Sequence, residues 1–138
     1  MRQLFVCIDV PDLDRAIAFY TRAFGLTVSR RLGDSFAELT GASCPLHLLN
    51  KAAGTKPSPK IDAERDYRRH WTPVHLDLVV DDLDSAVQRA IAAGATLDRE
   101  PVTARWGRMA NLADPFGHGF CLLQFLGRGY DELLDPQA

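Results

Sequence analysis

At 138 residues, 46% hydrophobic and 25% charged, the chain has the composition of an ordinary soluble globular protein, long enough for one domain or for two small modules sharing a core. Sixteen basic against eighteen acidic residues leave a formal charge of −2, which excludes the global positive field that recruits nucleic acid or anionic lipid. No apolar run reaches membrane-spanning length, so neither a membrane nor a nucleic acid is an expected partner.

Leu4, Val6, Ile8 and Val10 alternate with Phe5, Cys7 and Asp9, which predicts a strand with one fully apolar face. From Asp12 the period changes to that of a helix, with Leu13, Ala16, Ile17, Tyr20 and Phe24 on one stripe. Asp12 can cap this helix, Asp14 suits the dipole at its start, and Gly25 stops it. Three shorter strands are predicted around Thr27 to Arg30, Ser35 to Leu39 and Pro45 to Leu49, with turn signals at Gly33-Asp34 and Gly41-Ala42-Ser43. The first unit, residues 4–50, therefore reads βαβββ. Residues 51–73 hold Gly54, Pro57, Pro59, Pro73 and a charged stretch from Asp62 to Arg69, a linker with room for a short helix or for an arm packed on a partner.

The second unit, residues 74–126, repeats the first. Val80-Asp81-Asp82-Leu83-Asp84-Ser85-Ala86-Val87 restates Val10-Pro11-Asp12-Leu13-Asp14-Arg15-Ala16-Ile17. Before it, Val74, Leu76, Leu78 and Val80 take one strand face, while His75, Asp77 and Val79 match Phe5, Cys7 and Asp9 position for position. A helical stripe of Leu83, Val87, Ala90 and Ile91 ends at Gly94. Strands follow near Thr96 to Arg99, Arg108 to Ala113 and Phe120 to Phe125, with the turn Asp114-Pro115-Phe116-Gly117-His118-Gly119 before the last. A tail, residues 127–138, closes a single domain of two copies of one motif, and a site shared between copies is where function is sought. Asp12, Asp14, Asp81, Asp82 and Asp84 are explained by helix starts. His70 and His118, in the linker and the turn, are expected to be solvated. The chain has no GxSxG, Walker loop or Rossmann fingerprint. Met1-Arg2-Gln3-Leu4-Phe5 does not open like a signal peptide, and Cys7, Cys44 and Cys121 lack CxxC spacing and cannot all pair, so a cytoplasmic location is expected.

Two βαβββ units, each with an Asp-Leu helix start, and an Asp-Pro-x-Gly turn before the final strand resemble the vicinal oxygen chelate superfamily: glyoxalase I, bleomycin-resistance proteins and extradiol dioxygenases. Val74 to Gly94 with Asp114 to Cys121 looks especially like its glyoxalase-like branch. The resemblance implies an α+β fold of tandem βαβββ repeats, curved mixed sheets around a cup with helices outside. It implies cup corners at Phe5, His47, His75 and Cys121, where metalloenzymes of the superfamily carry ligands. His47, His75 and Cys121 form the metal set so implied, zinc suiting it best; iron oxygenase chemistry needs a carboxylate that none of the corners supplies. Asp77 shares the face of His75 and can ligate or orient it. Because Phe5 takes one ligand position, a metal-free cup is the preferred expectation.

The implied function is a glyoxalase-like enzyme of lyase, isomerase or dioxygenase type acting on a small organic molecule, with His47 and His75 catalytic and Phe5, Asp77, Trp106 and Cys121 lining the pocket. Arg105 and Arg108, flanking Trp106, could pair with an anionic group of the ligand. The alternative is a non-catalytic small-molecule binder of the bleomycin-resistance type. A homodimer is expected by resemblance, with the cup made within one chain or across the pair.

Overall fold

The computed structural model describes residues 1–134, and within it the chain divides into two compact units, one up to Arg68 and one from Arg69 onward. The first contains β1 (Val6–Val10), α1 (Leu13–Phe24), β2 (Thr27–Leu32), β3 (Phe36–Thr40) and β4 (Leu46–Asn50). The second contains β5 (Leu76–Val79), α2 (Leu83–Ala93), β6 (Thr96–Ala104), β7 (Gly107–Ala113), β8 (Gly119–Phe125) and a 3-10 helix, Gly129–Leu134. Each unit is the expected βαβββ motif, and the class is α+β.

In the first unit the sheet order is β1-β4-β3-β2, mixed because β1 runs parallel to β4 while the other pairs are antiparallel. A parallel pair needs a crossover, and α1 is part of it. Asp12 caps α1 by accepting the Arg15 N–H at 3.1 Å, and Gly25 ends it in the left-handed conformation at φ 68°. The helix buries Leu13, Ala16, Phe19, Tyr20 and Ala23 and packs on β2, β3 and β4. Ala37, Leu39, Leu46 and Leu48 make the buried face of the sheet. Strand alternation turns Cys7, His47 and Glu38, neighbours in register, to the opposite, helix-free face.

Order β5-β8-β7-β6 repeats this plan in the second unit, again with one parallel pair. Asp82 caps α2 through the Ser85 N–H at 3.2 Å, and Ala110, Leu112, Phe120 and Leu122 are buried in the sheet. Asp77, Cys121 and Asn111 are neighbours in register on the helix-free face. Cys7 opposite His47 thus corresponds to Asp77 opposite Cys121.

Three segments differ from expectation. No helix forms in residues 51–68; the arm folds back on its own unit. Arg65 donates from Nε to Asp9 on β1 at 2.6 Å, its backbone exchanges hydrogen bonds with Gly54 and Thr55, and the Tyr67 hydroxyl donates to the Lys51 carbonyl at 2.6 Å. Pro57 and Pro59 remove two N–H donors from any helix there. β6 continues past Arg99 to Ala104 through two register shifts, because bulges let pairing resume after the alternation breaks. The tail forms a 3-10 helix whose Tyr130 packs on Trp106 and Phe125. Residues 135–138 of the expected tail lie outside the described residues.

Candidate functional site

In the first unit, His47 sits on β4 with its ring stacked on Phe5 at 4.5 Å between centroids and met edge-on by Phe36 at 4.8 Å. Its Nε2 lies 2.8 Å from Glu38 Oε2. Glu38, only 8% exposed, is the cross-strand partner of His47, and a carboxylate so buried is stable only when well paired. Its other oxygen, Oε1, accepts the Ser29 hydroxyl at 2.8 Å and the Arg30 Nε–H at 3.0 Å. Ser29 is free to turn this way because the β2–β3 register shifts between Val28 and Arg30. The Ser29 hydroxyl, then the hydrogen bond with His47, hold the Glu38 carboxyl below its ordinary range, outweighing burial.

In the second unit, His75 immediately precedes β5 and its Nε2 stands 3.3 Å from Asp77 Oδ1. Cys121, 3% exposed, receives the Asn111 side-chain N–H at 3.2 Å. Burial, then its hydrogen bond to Asp77, pushes the Cys121 thiol up to about 11, so it is a thiol at neutral pH. The ligand atoms of His75, Asp77 and Cys121 lie within 4.8 Å of one another, a donor set fit for a divalent ion, with two members exposed and one buried. Trp71 borders the trio, its ring 5.6 Å from that of His75 and its Nε1–H donated to Asp98. It passes so close over Gly119 that a Cβ there would lie 2.4 Å from the indole.

The expected residues therefore fall into two groups, Phe5 with His47 in one unit and His75, Asp77 and Cys121 in the other. Trp106 packs on Phe125 and Tyr130, beside Gly107, which is paired with Phe125; Cys121 is paired with Asn111. Four residues along the strand separate those registers by about 13 Å. Arg108 forms a two-pronged bond with Asp84, at 3.0 and 3.2 Å, and Arg105 donates to the Glu132 carbonyl, so both cations already have protein partners. His70 and His118, expected in solvent, are half-buried and bonded to one another, Nδ1 of His118 to Nε2 of His70 at 3.1 Å. The reason is backbone pairing: His70 exchanges hydrogen bonds with Gly117 and Gly119.

Glu38, Ser29, Asn111 and Trp71 were not singled out from sequence. Glu38 carried a signal, being the only charged residue in Phe36-Ala37-Glu38-Leu39, but its meaning depends on the register that sets it against His47. The Ser29 contact depends on a bulge, which alternation does not reveal.

Two four-stranded mixed sheets with helices are consistent with the glyoxalase-type fold. Residues 5–123 match the family of the glyoxalase-like domain, and the chain belongs to that family, within the vicinal oxygen chelate superfamily. An uncharacterised protein of Mycobacterium bovis, Mb0911c, is 46% identical over 120 residues, 83% of this chain and 78% of that protein. The anthracycline biosynthesis protein DauV of Streptomyces sp. (strain C5) is 39% identical over 115 residues; these are 82% of this chain, but the match spans only 38% of DauV. A glyoxalase-related enzyme from Fulvimarina pelagi, 19% identical, superposes with a TM-score of 0.70 over 90% of this chain and 88% of that one, a likeness of fold.

Proposed function

We propose that the protein is a glyoxalase-like enzyme acting on a small organic molecule, with His47 and His75 moving protons. One observation carries this reading: each unit sets an imidazole against a carboxylate, His47 against Glu38 on the helix-free face of its sheet and His75, just before β5, beside Asp77. A histidine oriented by a carboxylate is suited to general acid–base work. Proton abstraction beside a carbonyl, of isomerase or lyase type, uses such a base together with a group that stabilises the oxyanion formed as the C–H electron pair moves onto the carbonyl. The His75, Asp77 and Cys121 set fits zinc better than an iron oxygenase centre, which takes two histidines and a carboxylate. A zinc ion bound there would supply Lewis-acid polarisation of a carbonyl or hydroxyl. Cys121 must lose its proton to ligate, so uptake of the ion weakens as pH falls.

Turnover of a panel of 2-oxoaldehydes, hydroxamates and catechols is the test. Activity that falls at least about a hundredfold in His47→Ala and in His75→Ala supports the proposal; unchanged turnover in both ends it. Elemental analysis of untagged protein and of His75→Ala decides the metal. Phe5, 45% exposed and stacked on His47, favours a second reading, a non-catalytic binder of flat molecules. Saturable quenching of tryptophan fluorescence with no turnover selects it. A cytoplasmic homodimer is the accompanying proposal, supported by three free cysteines for the compartment and by family resemblance for the dimer. Sedimentation at monomer mass overturns the dimer.

A further inference from the structure

We infer that Glu38 is a positioning residue that dedicates the two nitrogens of His47 to different tasks: Nε2 stays protonated and anchored, and Nδ1 is the nitrogen that exchanges a proton with the ligand. This rests on the proposed acid–base role of His47 and adds which atom performs it.

The geometry carries the inference. An ionised carboxylate only accepts hydrogen bonds, so at 2.8 Å the Nε2 of His47 must be the donor. Glu38 stays ionised because the Arg30 guanidinium and the Ser29 hydroxyl both donate to Oε1. The ring is held against rotation by Phe5 stacked on one face and Phe36 set edge-on. Among the described residues no buried side-chain nitrogen or oxygen lacks a hydrogen-bond partner, and the bond to Glu38 uses Nε2 alone. Nδ1 is therefore not sealed inside the protein, and 14% of the His47 side chain is exposed. When it takes a proton from a ligand C–H or O–H, the electron pair of the broken bond remains on the ligand. The resulting imidazolium is balanced by the Glu38 carboxylate.

Tautomers are read directly by two-bond nitrogen–proton NMR on uniformly labelled full-length protein without ligand, His47 being assigned from the spectrum of His47→Gln. The expected spectrum shows neutral His47 with the proton on Nε2 in excess of roughly tenfold, as a charge-assisted hydrogen bond implies. In Glu38→Gln the excess falls to within a few-fold, and Glu38→Asp restores part of it. A wild-type spectrum with the proton on Nδ1, or an excess unchanged in Glu38→Gln, overturns the inference. Should Glu38→Gln fail to fold, the wild-type spectrum decides alone: an excess of the Nε2-protonated form below a few-fold overturns the inference. The two proposals fail separately: a correct tautomer with undiminished turnover in His47→Ala overturns the acid–base role and leaves the anchoring by Glu38 standing.

Discussion

Asp114 holds the turn before β8 together from inside. Its side chain is 3% exposed, and Oδ1 accepts the N–H groups of Phe116 at 2.8 Å and His118 at 2.9 Å, which seats Phe116 in the core. Asp114→Ala leaves both donors without that acceptor, and a loss of about 1–3 kcal/mol in chemical denaturation is expected. At Glu38 the expected effect depends on pH. Its carboxyl titrates lower in the folded protein than in the unfolded chain, so protonation favours unfolding. The stabilisation is present above the ordinary carboxylate range and is lost as pH falls through and below it. Denaturation midpoints between pH 7 and pH 3 should therefore decline less steeply in Glu38→Gln than in the natural protein.

Among the elements, the helices were the most legible in the sequence. Asp12 and Gly25, and again Asp82 and Gly94, mark the ends of α1 and α2, because capping chemistry is local and leaves its residues in place. Asp12→Ala and Asp82→Ala are each expected to cost about 1 kcal/mol, measured by thermal melts, since each removes an acceptor from one helix start. Strand cores were legible from alternation, as in Val6 to Val10, but their ends and pairings were not. β6 runs on through bulges, and the Arg65 to Asp9 bond joins residues far apart in the chain. The arm and the 3-10 helix depend on such distant contacts, which periodicity does not encode.

For the molecule as a whole, the duplicated phrase made the two βαβββ units readable, and the family match spans residues 5–123, across both. The candidate site was readable only in part. His47, His75, Asp77 and Cys121 stand out as chemical groups in apolar strands, whereas the carboxylate and hydroxyl behind His47 depend on cross-strand register and a bulge. The fold also ranks its three thiols. Cys7 is exposed, Cys44 half-buried, and Cys121 buried with its thiol pushed up to about 11. With a thiol-reactive dye at neutral pH, Cys7 should react first and Cys121 only once the chain unfolds, and Cys7→Ser should abolish the fast phase.

The shared register of the two sheets offers an engineering opportunity. Because Cys7 faces His47 as Asp77 faces Cys121, corresponding Cβ atoms leave equivalent pleats of each sheet. A protein designer thus has two matched rows of positions, Phe5, Cys7 and His47 in one copy and His75, Asp77 and Cys121 in the other, between which donor groups can be exchanged as a first trial.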